Sequence, residues 1–392
     1  MSNDENSSEK LQIEYNGAHE LESTQMNNTN GDAQVQITQH SYNSHSPEDR
    51  TSSSVQTHQQ SSAFHSGLDL SCINAFDVVQ EAKRVIQNFL RNNACYNLIK
   101  NSSKVPQLFV VVFDVKIPIN LAFFALVEHD IKSVPIWDAD LGTFVGMFTA
   151  TDFVSILRHF YIRGSPMTEL AEHSIASWRA LPRSISNAKH QNGLISVTPE
   201  DSLYDSCKIL REHRLHRIPI VDPVQNSVLS ILTHSGILQY LVSSFREQRR
   251  LFDQPVYDLR IGTYENIITA PEQLPLIMIL HTLIERRVSA IPIINVNGVV
   301  VNIYCVSNVT ELVKDRSLAQ LDMPVGEVLR VQAAEGNVGN EGLHLCYKTD
   351  TLHMIFERFA AVKAHRLVCV DEFARCVGIL SLSDLFDYFL RD

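Results

Sequence analysis

Four segments of this chain share one pattern, and that repetition constrains the fold more than any other feature. Apolar runs carry a proline anchor in "DIKSVPIWD", "RLHRIPIVD" and "RRVSAIPII", at Pro135, Pro219 and Pro292. In a fourth run, "KAHRLVCVD", Val368 takes the proline's place. The anchors stand 84, 73 and 76 residues apart. Each is followed 16 or 17 residues later by a position that opens a helix: Asp152, Gly236, Asn308 and Asp384.

Around each anchor the hydrophobic periodicity predicts a strand, an amphipathic helix, a buried strand, a turn, another strand and another helix. In the second copy, "GLISVTP" leads to a helix capped by Ser202, with Leu203, Cys207 and Leu210 on one face. "RIPIVD" and "SVLSIL" are the strands that follow. In the fourth copy Thr351 is the cap, and Leu352, Phe356 and Phe359 face inward. Strands so short and so few cannot close a core alone, so the copies must pair into two lobes of an α/β protein. The predicted boundaries are a tail over 1–75, a first unit with an N-terminal helix over 76–160, and a linker helix with the second unit over 161–247. The third and fourth units cover 248–318 and 319–392.

Composition narrows the rest. The tail is Ser, Asn, Gln, His and Glu with almost no aliphatic periodicity, and it is expected to be disordered. A net charge of −11 argues against a nucleic-acid surface, which needs a basic face. The seven cysteines are odd in number and form no C-x-x-C, as in neither a disulfide framework nor a zinc site, and this suits a reducing compartment. The polar, acidic N-terminus does not read as a signal peptide, and "PLIMIL" and "LFVVVF" are too short to span a membrane. The expected location is the cytoplasm, with the nucleus as a second compartment.

Stacked by anchor, the copies show recurrent polar columns. Three positions before it stand Lys132, His216, Ser289 and His365; two before, Ser133, Arg217, Ala290 and Arg366; five before, Asp130, Arg214, Arg287 and Lys363. If the strands start near one axis, these cations converge, and convergent Arg, Lys and His suit phosphate. The helix-opening column adds carboxylates able to accept ribose hydroxyls, at Asp152 and Asp384. Thr149, Thr151, Ser381 and Ser383 surround them with hydroxyls at a helix N-terminus. Ile195, Ile268 and Val288 are apolar positions able to sandwich a flat base. Each residue alone also has a structural reading: the acids and hydroxyls as helix caps, the histidines as ordinary surface or core residues. Recurrence at fixed offsets, together with the family resemblance that follows, favours the ligand reading in copies one and four; copy two keeps its basic pair with the ribose position empty, and copy three is open to both readings.

The β-α-β-β-α unit resembles the CBS domain, two of which form a Bateman module. "AFFALV", "TELAEHSIASWRAL", "LRIGTYENI" and "GILSLSDLF" further resemble the gamma (regulatory) subunits of AMP-activated protein kinase, from about residue 95 to the C-terminus. The resemblance implies four CBS domains in two Bateman modules forming a disc. It implies a non-catalytic chain that binds AMP, ADP and ATP in competition, holds no cofactor or metal, and acts through a kinase alpha subunit and a bridging beta subunit. By position, the ribose ligands are Asp152 and Asp384 and the phosphate ligands His216, Arg217, His365 and Arg366, with Thr263, Val288 and Ser289 lining the clefts. Four departures stand out: Lys132 for arginine, Ser235 for lysine, Asn308 for aspartate and Gln332 for arginine. Lys132, Ser235 and Asn308 weaken the third-repeat site, so a gamma-like scaffold with little nucleotide response is the competing reading. No P-loop, kinase or nucleophile-elbow motif points to an enzyme.

Overall fold

A computed structural model describes residues 35–38, 75–102, 110–181, 193–244, 252–313, 319–334, 342–362 and 364–391. In each copy an anchor strand pairs antiparallel with a return strand: Ser133–Asp138 with Thr143–Thr149, Arg217–Asp222 with Ser227–Thr233, Ala290–Ile294 with Val300–Cys305, and Arg366–Val370 with Cys376–Ser381. A short opening strand or bridge pairs parallel on the anchor strand's other edge. The anchor strands are therefore central, which explains their continuous apolar runs. Of the tail, Val35–Thr38 and Ala75 are described: the first forms a strand antiparallel to Val110–Phe113, and Ala75 opens helix Ala75–Asn92. The remainder of the expected disordered tail lies outside the described residues.

Proline at the anchor has a visible consequence. In the fourth copy the Val368 N–H donates to the His344 carbonyl at 2.8 Å. Proline has no such donor, so in the second copy pairing begins one step later, with Val197 N–H donating to the Pro219 carbonyl at 3.0 Å. The first helices follow their predicted caps. Ser202 Oγ accepts from Asp205 N–H at 3.0 Å, with Leu203, Cys207 and Leu210 buried along one face of Leu203–Glu212. Thr351 Oγ1 accepts from Met354 N–H at 3.3 Å, and Leu352, Phe356 and Phe359 are buried in Leu352–Val362.

The second helix forms in three copies, as Ala150–Arg163, His234–Ser244 and Leu382–Leu390. In the third copy, where another helix is expected, the chain winds as a 3₁₀ helix over Val306–Val313. Val306, Val309, Thr310 and Val313 put four β-branched side chains in that one short segment, and such side chains are stiff against the preceding turn.

The copies close into a ring through two kinds of contact. Sequence neighbours meet by their sheets: Phe144 and Val110 with Val228 between copies one and two, and Val300, Ile303 and Cys305 with Val368 and Val370 between three and four. The two largest cores join copies that are not neighbours in sequence. Phe123, Phe153 and Leu157 pack with Ile279, Leu283 and Val309 in one, and Leu203, Cys207 and Ile237 pack with Phe356, Phe386 and Phe389 in the other.

The connecting segments cross over as well. Helix Ala75–Asn92 precedes the first copy yet buries Ala82, Ile86 and Leu90 in the core of copies two and four. Phe252, Val256 and Ile261, ahead of the third copy, do the same. Leu170, Ile175 and Trp178, in the linker after the first copy, bury in the core of copies one and three. Among the described residues, no helix is long and apolar enough to cross a membrane.

Candidate functional site

The helix-opening column is built from capping boxes. In copy one the Thr149 N–H and Oγ1–H both donate to Asp152 Oδ2, each at 2.8 Å. In copy four the Ser381 N–H and Oγ–H donate to Asp384 Oδ2, each at 2.7 Å, and Asp384 N–H returns a bond to Ser381 Oγ at 3.3 Å. Both roles weighed from sequence thus fall on the same residues: Oδ2 of each carboxylate completes the cap, and Oδ1 lies outside it. Burial pushes both carboxyls above the ordinary aspartate range, against the bonds from Thr149 and Ser381 and the charges of Arg179 and Arg391 respectively. Copy three repeats half the box, Asn308 Oδ1 accepting from Cys305 N–H at 2.9 Å, but Asn308 is only 2% exposed. Copy two substitutes Gly236, whose N–H donates to Thr233 Oγ1 at 3.0 Å.

The closest gathering of these residues lies at the junction of copies three and four. Arg366 Nη2 donates to Ser289 Oγ at 3.1 Å, joining two residues from the columns before the anchors. Thr263 bonds Ile379 in both directions through the backbone, at 2.8 and 2.9 Å, just ahead of Ser381. Next to it the Tyr264 ring lies on Gly378; a Cβ there would stand 2.5 Å from the ring. Tyr264 Oη–H donates to the Ile261 carbonyl at 2.8 Å, and its pKa is raised by burial first, with Asp384 among the charges that add to it. Thr263, Ser289, Arg366, Ser381 and Asp384 thus gather around one junction.

A second cluster gathers histidines. His234, the first residue of its helix, is 7% exposed and its ring lies 5.1 Å from Phe386. Burial, then His216 and His365, lower its pKa to about 3. The two histidines singled out before the anchors therefore reach the same place from copies two and four.

Asp130, Arg214 and Arg287, the five-before column, adopt left-handed backbone with φ of 48°, 51° and 52°. They follow the first helices, where Ile131, Leu215 and Val288 N–H close back onto Leu126, Leu210 and Leu283 carbonyls. Glycine is the usual residue in such a turn, so Asp130, Arg214 and Arg287 are departures from it, as are Arg260 and Ala374 elsewhere.

The other predicted residues are less gathered. Lys132 is half-buried ahead of its strand, Arg217 opens the strand opposite Thr233, Thr151 is exposed and Ser383 half-buried. Ile195 packs on the core of copies two and four, and Ile268 and Val288 on that of copies one and three. Lys363 lies outside the described residues.

Two residues escaped the sequence reading. His234 is one; the other is Arg179, from linker helix Ile175–Arg179, whose Nη2 donates to the Val145 carbonyl at 2.7 Å and whose charge acts on Asp152. The available signal for Arg179 was Gly146 inside the return strand. A Cβ there would stand 3.0 Å from Arg179 Nη1.

The CBS domain family matches residues 190–243 and 336–391, which are the second and fourth copies. The chain is 36% identical over 323 residues to a 5'-AMP-activated protein kinase subunit gamma of Dictyostelium discoideum, covering 80% of this chain and 54% of that one. It is 36% identical to the gamma-3 subunit of Bos taurus (77% and 59% covered) and 34% identical to that of Homo sapiens (77% and 60%). The chain thus spans little more than half the length of these curated relatives. In fold it is similar to the crystal structure of protein MJ1225 of Methanocaldococcus jannaschii, with a TM-score of 0.57 at 15% identity, over 71% of this chain and 96% of that one.

Proposed function

A four-copy CBS-domain relative of the gamma subunits of 5'-AMP-activated protein kinase, this chain is, we propose, a non-catalytic regulatory subunit that senses adenine nucleotides for a kinase. AMP, ADP and ATP compete for its clefts, and a kinase alpha subunit and a bridging beta subunit are its partners. The observation that carries this reading is the junction of copies three and four. It offers an acid with a cap-free oxygen at Asp384, hydroxyls at Ser381 and Ser289, and a guanidinium at Arg366 3.1 Å from Ser289. Those are the groups a nucleoside monophosphate needs, the acid for ribose and the fork-shaped cation for phosphate. The histidine cluster supplies further phosphate donors from copies two and four.

Calorimetric titration of the full chain with AMP tests it. Saturable binding that Asp384→Ala removes is the expected result; unchanged binding in that variant sinks the assignment. Co-expression with the alpha and beta subunits should give a complex with one copy of each.

One observation favours the scaffold reading for part of the molecule. Asn308 is buried, its Oδ1 accepts the Cys305 N–H, and Lys132 and Ser235 stand where stronger phosphate ligands are expected. A third cleft that contributes structure rather than sensing follows, and a binding stoichiometry lower by one site distinguishes it.

A further inference from the structure

The strongest feature outside these clefts is a cavity of about 270 Å³ beside the end of helix Ala150–Arg163. It begins at His159, seven residues beyond Asp152, so it lies roughly 10 Å or more along the helix from the first nucleotide cleft.

Its walls are rings set edge to face. His159 and Trp178 lie 5.5 Å apart at 70°, His159 and Phe160 5.8 Å apart at 83°, and Phe160 and His173 5.6 Å apart at 67°. Such a lining favours a flat apolar body. Trp178 is 3% exposed; its indole Nε1 is buried away from the open space and, among the described residues, has no hydrogen-bond partner.

Charge sets the rest. Around the cavity stand the Arg163 guanidinium and the two imidazoles against one carboxylate, Glu169. Burial first, then Arg163 and His173, lower the pKa of His159, so that ring offers one N–H without adding charge. Donors outnumber acceptors, and the fixed cation is a guanidinium, the group that pairs bidentately with carboxylate.

We propose that this cavity is a second ligand site, independent of the nucleotide clefts, for a small planar aromatic carboxylate. The ring lies among Trp178, Phe160 and His173, and the carboxylate accepts from Arg163.

The chain has two tryptophans, Trp137 and Trp178, so the full protein labelled with 5-fluorotryptophan gives two ¹⁹F signals, assigned with Trp137→Phe. Naphthalene-2-carboxylate is the probe. It should shift the Trp178 signal saturably, and naphthalene-2-carboxamide should bind at least about fivefold more weakly. Arg163→Gln, an exposed position that leaves the fold intact, should raise the Kd of the carboxylate by at least about fivefold. Excess AMP should leave that Kd within about twofold. A Trp178 signal unmoved at saturating probe, equal affinity for acid and amide, an Arg163→Gln variant that binds as well, or competitive displacement by AMP would each overturn the proposal. None of these outcomes depends on whether AMP binds at Asp384.

Discussion

His234→Leu tests the histidine cluster through stability. The same column carries Ala150, Val306 and Leu382 in the other copies, so an apolar side chain is at home there. His234 has a folded pKa of about 3, against 6.5 for an ordinary histidine, because burial and then His216 and His365 oppose its charge. Between those values the unfolded chain binds a proton that the folded chain does not. Stability from this group is therefore intact above pH 6.5 and is lost as pH falls toward 3. At about 1.36 kcal/mol per pH unit, moving from pH 7.5 to pH 5 costs the wild type roughly 2 kcal/mol through this one side chain. The leucine variant lacks that loss. Urea unfolding of both proteins at pH 7.5, 6.5, 5.5 and 5.0, followed by fluorescence and circular dichroism, gives the difference directly. The wild-type curve should fall relative to the variant by roughly 2 kcal/mol across the range. Parallel curves, or an imidazole ¹³C signal for His234 titrating near 6.5, would refute the burial argument.

Three further outcomes follow. In calorimetry, Asp384→Ala should remove most AMP binding, Asp152→Ala some and Asn308→Ala little, while Asn308→Asp with Ser235→Lys should strengthen it by roughly one to two orders of magnitude; loss of binding in Asn308→Ala alone would contradict the cleft assignment. Because burial raises the Asp384 pKa, AMP affinity in the wild type should fall on acidification before the ordinary aspartate range is reached, as a pH series of titrations would record. Gly378→Ala sets a Cβ 2.5 Å from the Tyr264 ring and 3.1 Å from Cys369 Cβ, so it should cost about 1–3 kcal/mol by thermal or urea unfolding, with Tyr264→Leu relieving part of it.

Much of this architecture was legible in the residues themselves. The anchors announced buried strands because apolar runs recur 16 or 17 residues ahead of a helix-opening position, and Ser202 and Thr351 announced their helices as caps do. The partners of those helices were not legible. Leu203 and Phe356 each declare an apolar face, but nothing in a face says which other face covers it, so the union of copies two and four emerges only in three dimensions. The same limit hid Arg179, which reaches Asp152 from a linker, and His234, which is buried by Phe386 from another copy. The third copy's 3₁₀ winding over Val306–Val313 was not legible, because a helical period alone does not separate it from the α-helix expected there.

The crossed pairing of cores has a consequence for how the chain is made. Arg158 and Glu285, which bond across the interface of copies one and three, lie 127 residues apart. At about 5–20 residues per second, a ribosome needs roughly 6–25 s to supply the second after the first. Throughout that interval Phe123, Phe153 and Leu157 lack their third-copy partners Ile279, Leu283 and Val309, and the helices of the second copy then wait for Phe356 and Phe389 in turn. Neither large core can close on the nascent first half. Chaperones that hold apolar surface should therefore engage the first half during synthesis and release it only when the last copy arrives.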